Sequence, residues 1–502
     1  MRIGELIAFI VYFVAMLGIG FFFMFRKKTE SEEGYFLGNR KMGPFVTAMS
    51  AQASDMSGWL LMGLPGSVLA LGFGEVWIAI GLALGTYFNW LFIAGRLRKF
   101  SQATGNAITI PQYLNNRFKS SGKTLQVVSA TIFLICFTIY VASGFKAGGA
   151  LFKTVLGINS DALAMGIFGI IMLAYTFMGG FNAVCWTDFF QALLMLGAII
   201  FVPIFVCFSG LEGSGPVNFL SIAEQTPNYF NLLPSGKLDW ESISSILSGL
   251  AWGLGYMGMP HILVRFMSIK SSKMIKTSRR VATVWVVITL LMSVFIGVVG
   301  HFVLPSLITN GEEEMVFINM VRIIFPAFIS GIFLSAILAA AMSTADSQLL
   351  VASSAFTCDI YKPIIRKKAS EKETLWMGRL VVVIIAVVAY VIAIIPGSGS
   401  IMSLVDNAWA GFGAAFGPVI ILSLYWKKFS YRGAVAGMIA GGLTVVLWII
   451  FLSDLTGLYE LFPGFIVGML ACIVGTKLDK KNNTPAEEMY EEALNFQENN
   501  LY

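Results

Sequence analysis

The sequence predicts an all-α, polytopic membrane protein, and three observations carry that reading. Of 502 residues, 57% are apolar and only 12% charged, a balance that leaves too little polar surface for a water-soluble fold of this size. Apolar runs of about 18 residues or more recur along the chain, each long enough to cross a hydrocarbon core of about 30 Å as a helix. Lys and Arg gather in alternate connections between those runs, the asymmetry that sets orientation in a bilayer. The net charge of +6 therefore reports topology, and no nucleic acid is expected as a partner. Five cysteines (Cys136, Cys185, Cys207, Cys358, Cys472) lie in or beside apolar runs without metal-type spacing, so neither a disulfide framework nor a zinc site is expected.

Thirteen spans are expected, at residues 4–25, 43–72, 74–95, 124–156, 160–180, 183–209, 241–264, 281–306, 325–357, 378–396, 401–425, 432–452 and 460–476. The first runs into Arg26-Lys27-Lys28 as a stop-transfer segment does, shows no small-residue cleavage site, and is read as a mature helix. With the N-terminus outside, all but a handful of the 34 Lys and Arg fall in cytoplasmic segments, and so does the acidic, Asn-rich tail after Lys477. The expected location is the cell membrane. Two external connections, 210–240 and 308–324, carry the Pro, Gly, Asn and Glu of surface loops and are expected to cover the outer mouth. The first divides a five-span unit at 43–209 from another at 241–425. An odd number of helices per unit leaves the two in opposite orientations, an inverted repeat. Residues 1–42 add a leading helix and its loop, 426–476 two further helices and 477–502 the tail.

The second span holds Ser50-Ala-Gln-Ala-Ser-Asp-Met-Ser-Gly-Trp59. At about 1.5 Å per residue, Ala53 to Gly58 lie about 15–22 Å from the start of the helix, in mid-bilayer. A carboxylate there costs at least a few kcal/mol, so Asp55 is expected to face a cavity, a partner or an ion. No Lys or Arg lies in the same span. Gly58 and the serines weaken the helical ladder and predict a break. The seventh span holds Leu250-Ala-Trp-Gly-Leu-Gly-Tyr-Met-Gly-Met-Pro260, where Pro260 removes a backbone donor and predicts a second break at matching depth. Paired breaks of this kind mark the binding site of many secondary transporters. In the ninth span, Ala339-Ala-Ala-Met-Ser-Thr-Ala-Asp-Ser347, the hydroxyls of Ser343 and Thr344 sit three and four residues past Ala340 and crowd its carbonyl. Carbonyls freed by unwinding around Ala53 and Met56 would complete an oxygen shell for a small hard cation, sodium by its chemistry.

These motifs, with Ala408-Trp-Ala-Gly-Phe-Gly-Ala-Ala-Phe-Gly-Pro418, resemble the sodium/solute symporters, and within them the branch that carries proline, across nearly the whole membrane region. The resemblance implies the inverted-repeat amino-acid-transporter fold, with ten core helices, one helix before and two after. It implies a sodium ion held by the carbonyls of Ala53, Met56 and Ala340 and the hydroxyls of Ser343 and Thr344, with Asp55 the carboxylate needed for tight sodium binding. Ser57, Gly58, Trp59, Tyr140, Trp252, Tyr256 and Pro260 match positions linked to proline binding or to the gates around it. Arg40 and Asp188 match charged positions on the cytoplasmic side that affect coupling. Asp346 departs from the pattern, which has an uncharged residue there.

The function expected is therefore sodium-coupled symport of L-proline, with sodium as coupling ion, no other cofactor and no obligate protein partner. The competing substrates are pantothenate, a sugar or another amino acid, although polar solutes call for more hydrogen-bonding side chains near Trp252 and Tyr256 than Gly, Leu and Met provide. A channel would need a continuous polar path. An enzyme would need a His, Cys or carboxylate cluster that no span shows. His261 and His301 are expected to be structural, and Glu75 and Asp406 to be solvated charges at helix ends. Asp346 lies on nearly the same face as Ser347, and Asp188 enters the sixth span at similar depth. Two unpaired carboxylates there would repel, which suggests a transient second sodium station formed by Asp188, Ser343, Asp346 and Ser347. Pairing of Asp346 with a cytoplasmic base, or its hydration, is the alternative.

Overall fold

The computed structural model describes residues 2–26, 31–119, 122–178, 180–210, 215–220, 224, 226, 228–480 and 483–498. The regular elements among the described residues are helices, with one isolated β-bridge between Met42 and Ile269. In chain order the main ones are α1 (Ile3–Arg26), α2 (Pro44–Asp55), α3 (Trp59–Leu71), α4 (Phe73–Ala103), α5 (Ile110–Arg117), α6 (Thr124–Leu156), α7 (Asp161–Met178) and α8 (Phe181–Ser209). There follow α9 (Trp240–Gly255), α10 (Pro260–Ser268), α11 (Ile275–Val303), α12 (Val316–Ile324), α13 (Ala327–Phe356), α14 (Glu371–Ile394), α15 (Ile401–Tyr425), α16 (Tyr431–Phe451), α17 (Leu461–Leu478) and α18 (Thr484–Asn495). Ten helices among the described residues are long and apolar enough to cross a membrane, and the protein is a multi-pass membrane protein.

A helix or a pair of helices stands on each of the thirteen expected stretches. Three of them fall outside the ten because α7 is short and because the stretches 43–72 and 241–264 are each cut in two. Helix α4 runs on to Ala103, past the expected end at 95, and α11 begins at Ile275 instead of 281. Their charged end turns stay helical because neighbouring loops supply partners: Arg98 Nε donates to the Ile269 carbonyl at 2.6 Å. The expected surface loop at 308–324 contains helix α12. Its Val316, Phe317, Ile318, Met320 and Val321 are buried, which gives an amphipathic turn a face to bury and a reason to fold.

Close packing follows from small residues. Gly81 and Gly85 of α4 meet Gly249 and Gly253 of α9 so closely that a Cβ on Gly85 would fall on the Gly253 backbone, the small-residue interface that membrane helices use in place of a hydrophobic drive. Helix α1 is pinned by a buried charge: Glu5 Oε1 accepts from Arg322 Nε of α12 at 3.1 Å and Ser330 Oγ of α13 at 3.0 Å. The five cysteines are unpaired thiols.

The Lys- and Arg-rich connections meet at one end of the bundle, called here the basic end. Helix α18 crosses it. The Arg117 guanidinium donates to the carbonyls of Ser423 and Ala486 and lies over the Tyr490 ring. At the opposite end, the described part of 210–240 packs on α3 and α11. Tyr229 donates to the Val68 carbonyl at 2.9 Å and stacks on His301, whose Nδ1 lies 2.8 Å from the Leu69 carbonyl. Residues 211–214, 221–223, 225 and 227 of that connection lie outside the described residues. Glu75 lies in the first turn of α4, at a helix end as expected, but is half-buried, whereas Asp406 is half-buried and sits more than a turn inside α15.

Candidate functional site

The chain leaves helical geometry at Met56 (φ −80°, ψ 82°), ending α2 after Asp55, and resumes at Trp59. Gly58 is the residue that lets the second half approach its neighbour, because a Cβ there would stand 2.5 Å from the Ala147 Cβ. The break frees the Asp55 carbonyl, which then accepts from Ser57 N at 3.0 Å, Tyr140 Oη at 3.1 Å and Trp59 Nε1 at 3.2 Å. Helices α9 and α10 are separated in the same way by a turn at Tyr256–Gly258 and extended backbone at Met259. Pro260 has no N–H for the Tyr256 carbonyl four residues back, and Asn89 Nδ2 of α4 supplies the missing donor at 2.9 Å.

Helix α13 meets the break of α2 directly. Ser343 Oγ donates to the Ala53 carbonyl at 2.7 Å and to the Ala340 carbonyl at 3.2 Å, and Thr344 Oγ1 reaches the Ala53 carbonyl at 3.3 Å. Four oxygens from two helices thus converge in a buried place, and both hydroxyl hydrogens can rotate away to leave lone pairs for a hard cation. Sequence position alone could not show that these helices touch.

The carboxylate of Asp55 reaches the other broken helix. Its Oδ2 accepts from the Tyr256 hydroxyl at 2.6 Å, while Oδ1 is buried without a donor among the described residues. Around this pair stand aromatic walls. Trp252 lies between Trp59, Trp409 and Tyr459, with ring centroids 6.4, 6.0 and 5.3 Å away, and Tyr256 meets Trp409 edge-on at 5.1 Å. Trp409 is held by its Nε1, which donates to the Trp252 carbonyl at 2.8 Å. Tyr140 packs beside His261, whose two ring nitrogens have no hydrogen-bond partner among the described residues. Trp409 and Tyr459 were not singled out in sequence, although the motif containing Trp409 was.

One turn beyond lies a polar group that sequence reading missed. Arg265 of α10 is fully buried, donating through Nε to Ser50 Oγ at 3.2 Å, through one terminal nitrogen to the His261 carbonyl at 2.8 Å, and through the other to Asp188 Oδ2 at 3.2 Å and to Ser347 Oγ. Ser50 Oγ also donates to Asp188 Oδ2 at 2.7 Å. Asp188 is therefore paired, which corrects the premise of two unpaired carboxylates. Asp346 is fully buried nearby, beside Ser347, and its carboxylate pairs with no base among the described residues. The expected span 241–264 ends one residue before Arg265 and leaves it among the loop charges. The signal was available in the unbroken run of Pro260 to Ser268, every residue of which is buried.

At the basic end the chain entering α2 is strapped to the chain leaving α10. Met42 N donates to the Ser268 carbonyl and Lys270 N to the Met42 carbonyl. Arg40, presented by a left-handed run at Gly38, Asn39 and Arg40, donates to the carbonyls of Met267 and Ala107 at 2.7 Å each, to Asn106 Oδ1 at 2.8 Å and to Ser101 Oγ at 3.1 Å. Burial, with Arg98 nearby, draws its pKa down to about 9 against the opposing pull of Glu33 and Glu498, so the latch is charged at neutral pH.

An oxygen cluster between an interrupted and a continuous helix, beside an aromatic-walled break and strapped at one end, defines a secondary transporter that holds an ion and a small solute together. The chain belongs to the sodium:solute symporter family, whose model matches residues 35–441. It is 46% identical to the sodium/proline symporter of Haemophilus influenzae, over 97% of this chain and 99% of that protein. It is 45% identical to the osmoregulated proline transporter OpuE of Bacillus subtilis, over 98% and 97%, and 44% identical to the sodium/proline symporter of Escherichia coli, over 97% and 96%. Among solved structures, a sodium-coupled sialic acid symporter in a substrate-bound, outward-open state superposes with a TM-score of 0.79 at 20% identity, covering 95% of this chain and 98% of that one. A nucleobase-cation-symport-1 family transporter in a closed conformation gives 0.57 at 13% identity, over 92% and 99%.

Proposed function

We propose that the protein carries sodium and L-proline together into the cytoplasm by alternating access. The observation that carries this reading is the contact of Ser343 and Thr344 with the Ala53 carbonyl, which ties a broken helix to a continuous one through the atoms a sodium ion would use. The shell consists of Ala53, Met56, Ala340, Ser343 and Thr344, with Asp55 supplying charge beside it. Proline sits among Ser57, Gly58, Trp59, Tyr140, Trp252, Tyr256 and Pro260, its apolar ring against the indoles and its charged groups toward backbone exposed by the breaks. The kinship with named proline symporters supports the substrate.

In this reading all thirteen stretches cross the bilayer, 43–209 and 241–425 are the inverted repeats, the N-terminus is outside and the basic end is cytoplasmic. Arg40 then latches the inner gate. Each inward sodium ion gains about 2.3 kcal/mol per 100 mV of inside-negative potential. Coupling requires sodium to bind one gate state better than the other, since a ligand that binds both equally shifts nothing.

Uptake of labelled L-proline into proteoliposomes is expected only with an inward sodium gradient, and excess glucose or pantothenate should compete poorly. Sodium-independent uptake, or strong competition by either solute, would replace this assignment by a different symport.

The exit of sodium belongs to the same proposal. Leaving Ser343, the ion meets Asp346 beside Asp188 and Ser347, where Arg265 is the resident cation with which it competes. Asp346→Ser should slow sodium release or change its cooperativity while proline still binds. Unchanged sodium stoichiometry, cooperativity and turnover would remove the station.

A further inference from the structure

A second group of buried oxygens surrounds the break of α9 and α10 and shares no atom with the Ala53–Ala340–Ser343–Thr344 cluster. Two of its acceptors, Asp55 Oδ1 and Asn89 Oδ1, lack a hydrogen-bond partner among the described residues, and Thr86 Oγ1 has only the Tyr256 hydroxyl beside it. All three side chains are at most 1% exposed. They are gathered on one residue, Tyr256. Its hydroxyl donates to Asp55 Oδ2 at 2.6 Å, lies beside the Thr86 hydroxyl, and its carbonyl accepts from Asn89 Nδ2 at 2.9 Å. The last bond fixes the amide of Asn89, because only its nitrogen can serve a carbonyl, and leaves Oδ1 as an acceptor with nothing to accept. Thr86 and Asn89 stand three residues apart on one face of α4.

Leaving these two acceptors unpaired in a dry interior costs more than the fold has reason to spend unless a donor arrives. The carboxylate is acceptor-only, and no basic side chain contributes to its surroundings among the described residues. What is missing is a cation that brings hydrogen-bond donors. Sodium could answer to the charge but brings no N–H, whereas a protonated secondary amine brings one positive charge and two N–H groups.

We propose that Asp55, Thr86, Asn89 and Tyr256 form the pocket for the cationic nitrogen of the substrate, a secondary ammonium, so that amine recognition and sodium coordination are divided between two oxygen clusters. The proposal rests on the reading of the protein as a sodium-coupled proline symporter and assigns Thr86 and Asn89 as specificity-determining residues. Binding there bridges α2, α4 and α9–α10, since Asp55 comes from the first, Thr86 and Asn89 from the second and Tyr256 from the third. The ligand thereby stabilises the arrangement in which both broken helices are closed on it.

The test compares L-proline with tetrahydrofuran-2-carboxylate, which keeps the ring and carboxylate and replaces the ammonium by an ether oxygen, as inhibitors of labelled proline uptake in proteoliposomes. Wild-type protein should prefer proline by at least about 10³-fold, because a site built to meet N–H donors rejects the analogue that lacks them. Thr86→Val and Asn89→Leu should each lower that preference about tenfold or more, while Thr86→Ser keeps it. The half-saturating sodium concentration of the ligand-free protein, read from tryptophan fluorescence, should move less than about twofold in these variants, as expected for groups outside the sodium shell. A raised sodium requirement with unchanged preference would assign the oxygens to sodium and overturn the proposal, as would no change in either quantity. Absence of sodium-driven proline uptake by the wild type would instead overturn the proposed function itself.

Discussion

Arg265→Met will leave little folded transporter in the membrane, and Asp188→Leu introduced alongside it will restore much of the folded protein without restoring transport. The guanidinium is the sole base paired with Asp188 among the described residues, and it also serves Ser50, Ser347 and the His261 carbonyl. Removing it strands a carboxylate in a fully buried place, which costs about 3–5 kcal/mol, whereas replacing both partners with apolar groups of similar volume is close to neutral. A loss of that size consumes much of the stability of an ordinary domain. Fluorescence-detected size exclusion and thermal unfolding of the two single variants and the double variant measure the coupling. If Arg265→Met unfolds at the wild-type temperature, the pair is dispensable and Asp188 is neutralised by something else. Transport should remain lost in the double variant, since Arg265 and Asp188 join α10 to α8 next to the path proposed for the ion.

The second large effect is expected at the sodium cluster. Ser343→Ala together with Thr344→Ala removes two of the four converging oxygens, and the half-saturating sodium concentration should rise at least about 10²-fold, from the strength of one or two contacts to a charged group. Each single variant should lie between. The Ala340 carbonyl remains in its helical ladder, but the Ala53 carbonyl loses both hydroxyl donors while Ser57 N stays turned to the Asp55 carbonyl, a cost of about 1–3 kcal/mol, so expression should fall modestly and far less than sodium affinity. Maximal uptake at saturating sodium should fall less than apparent affinity does. Normal sodium activation in the double variant would remove the shell as proposed.

Much of this was legible from residues taken one span at a time. The positions of α6 and α15, 124–156 and 401–425, coincide with the expected spans because hydropathy over about twenty residues decides whether a segment is buried in lipid, and that property is local. Both helix breaks were legible for the same reason. Gly58 and Pro260 alter the backbone ladder of their own helix whatever surrounds them. The amphipathic helix α12 was hidden because Glu and Gly before it resemble a loop, while its burial depends on helices that arrive from elsewhere in the chain.

Pairing between spans is a different kind of fact. The sequence by itself determined an all-helical membrane protein, two interrupted helices and a set of polar side chains too deep for water. Only the tertiary structure decided that Ser343 and Thr344 close on Ala53, that Asp55 turns its carboxylate to Tyr256, and that Arg265 answers Asp188. A buried charge must find a partner, and that necessity can be read from one residue. Which partner it finds depends on the crossing of helices whose contacting residues are separated by 201 positions for Tyr256 and Asp55 and 77 for Arg265 and Asp188, because hydrogen bonds act only over about 3 Å and nothing in a single span records that distance.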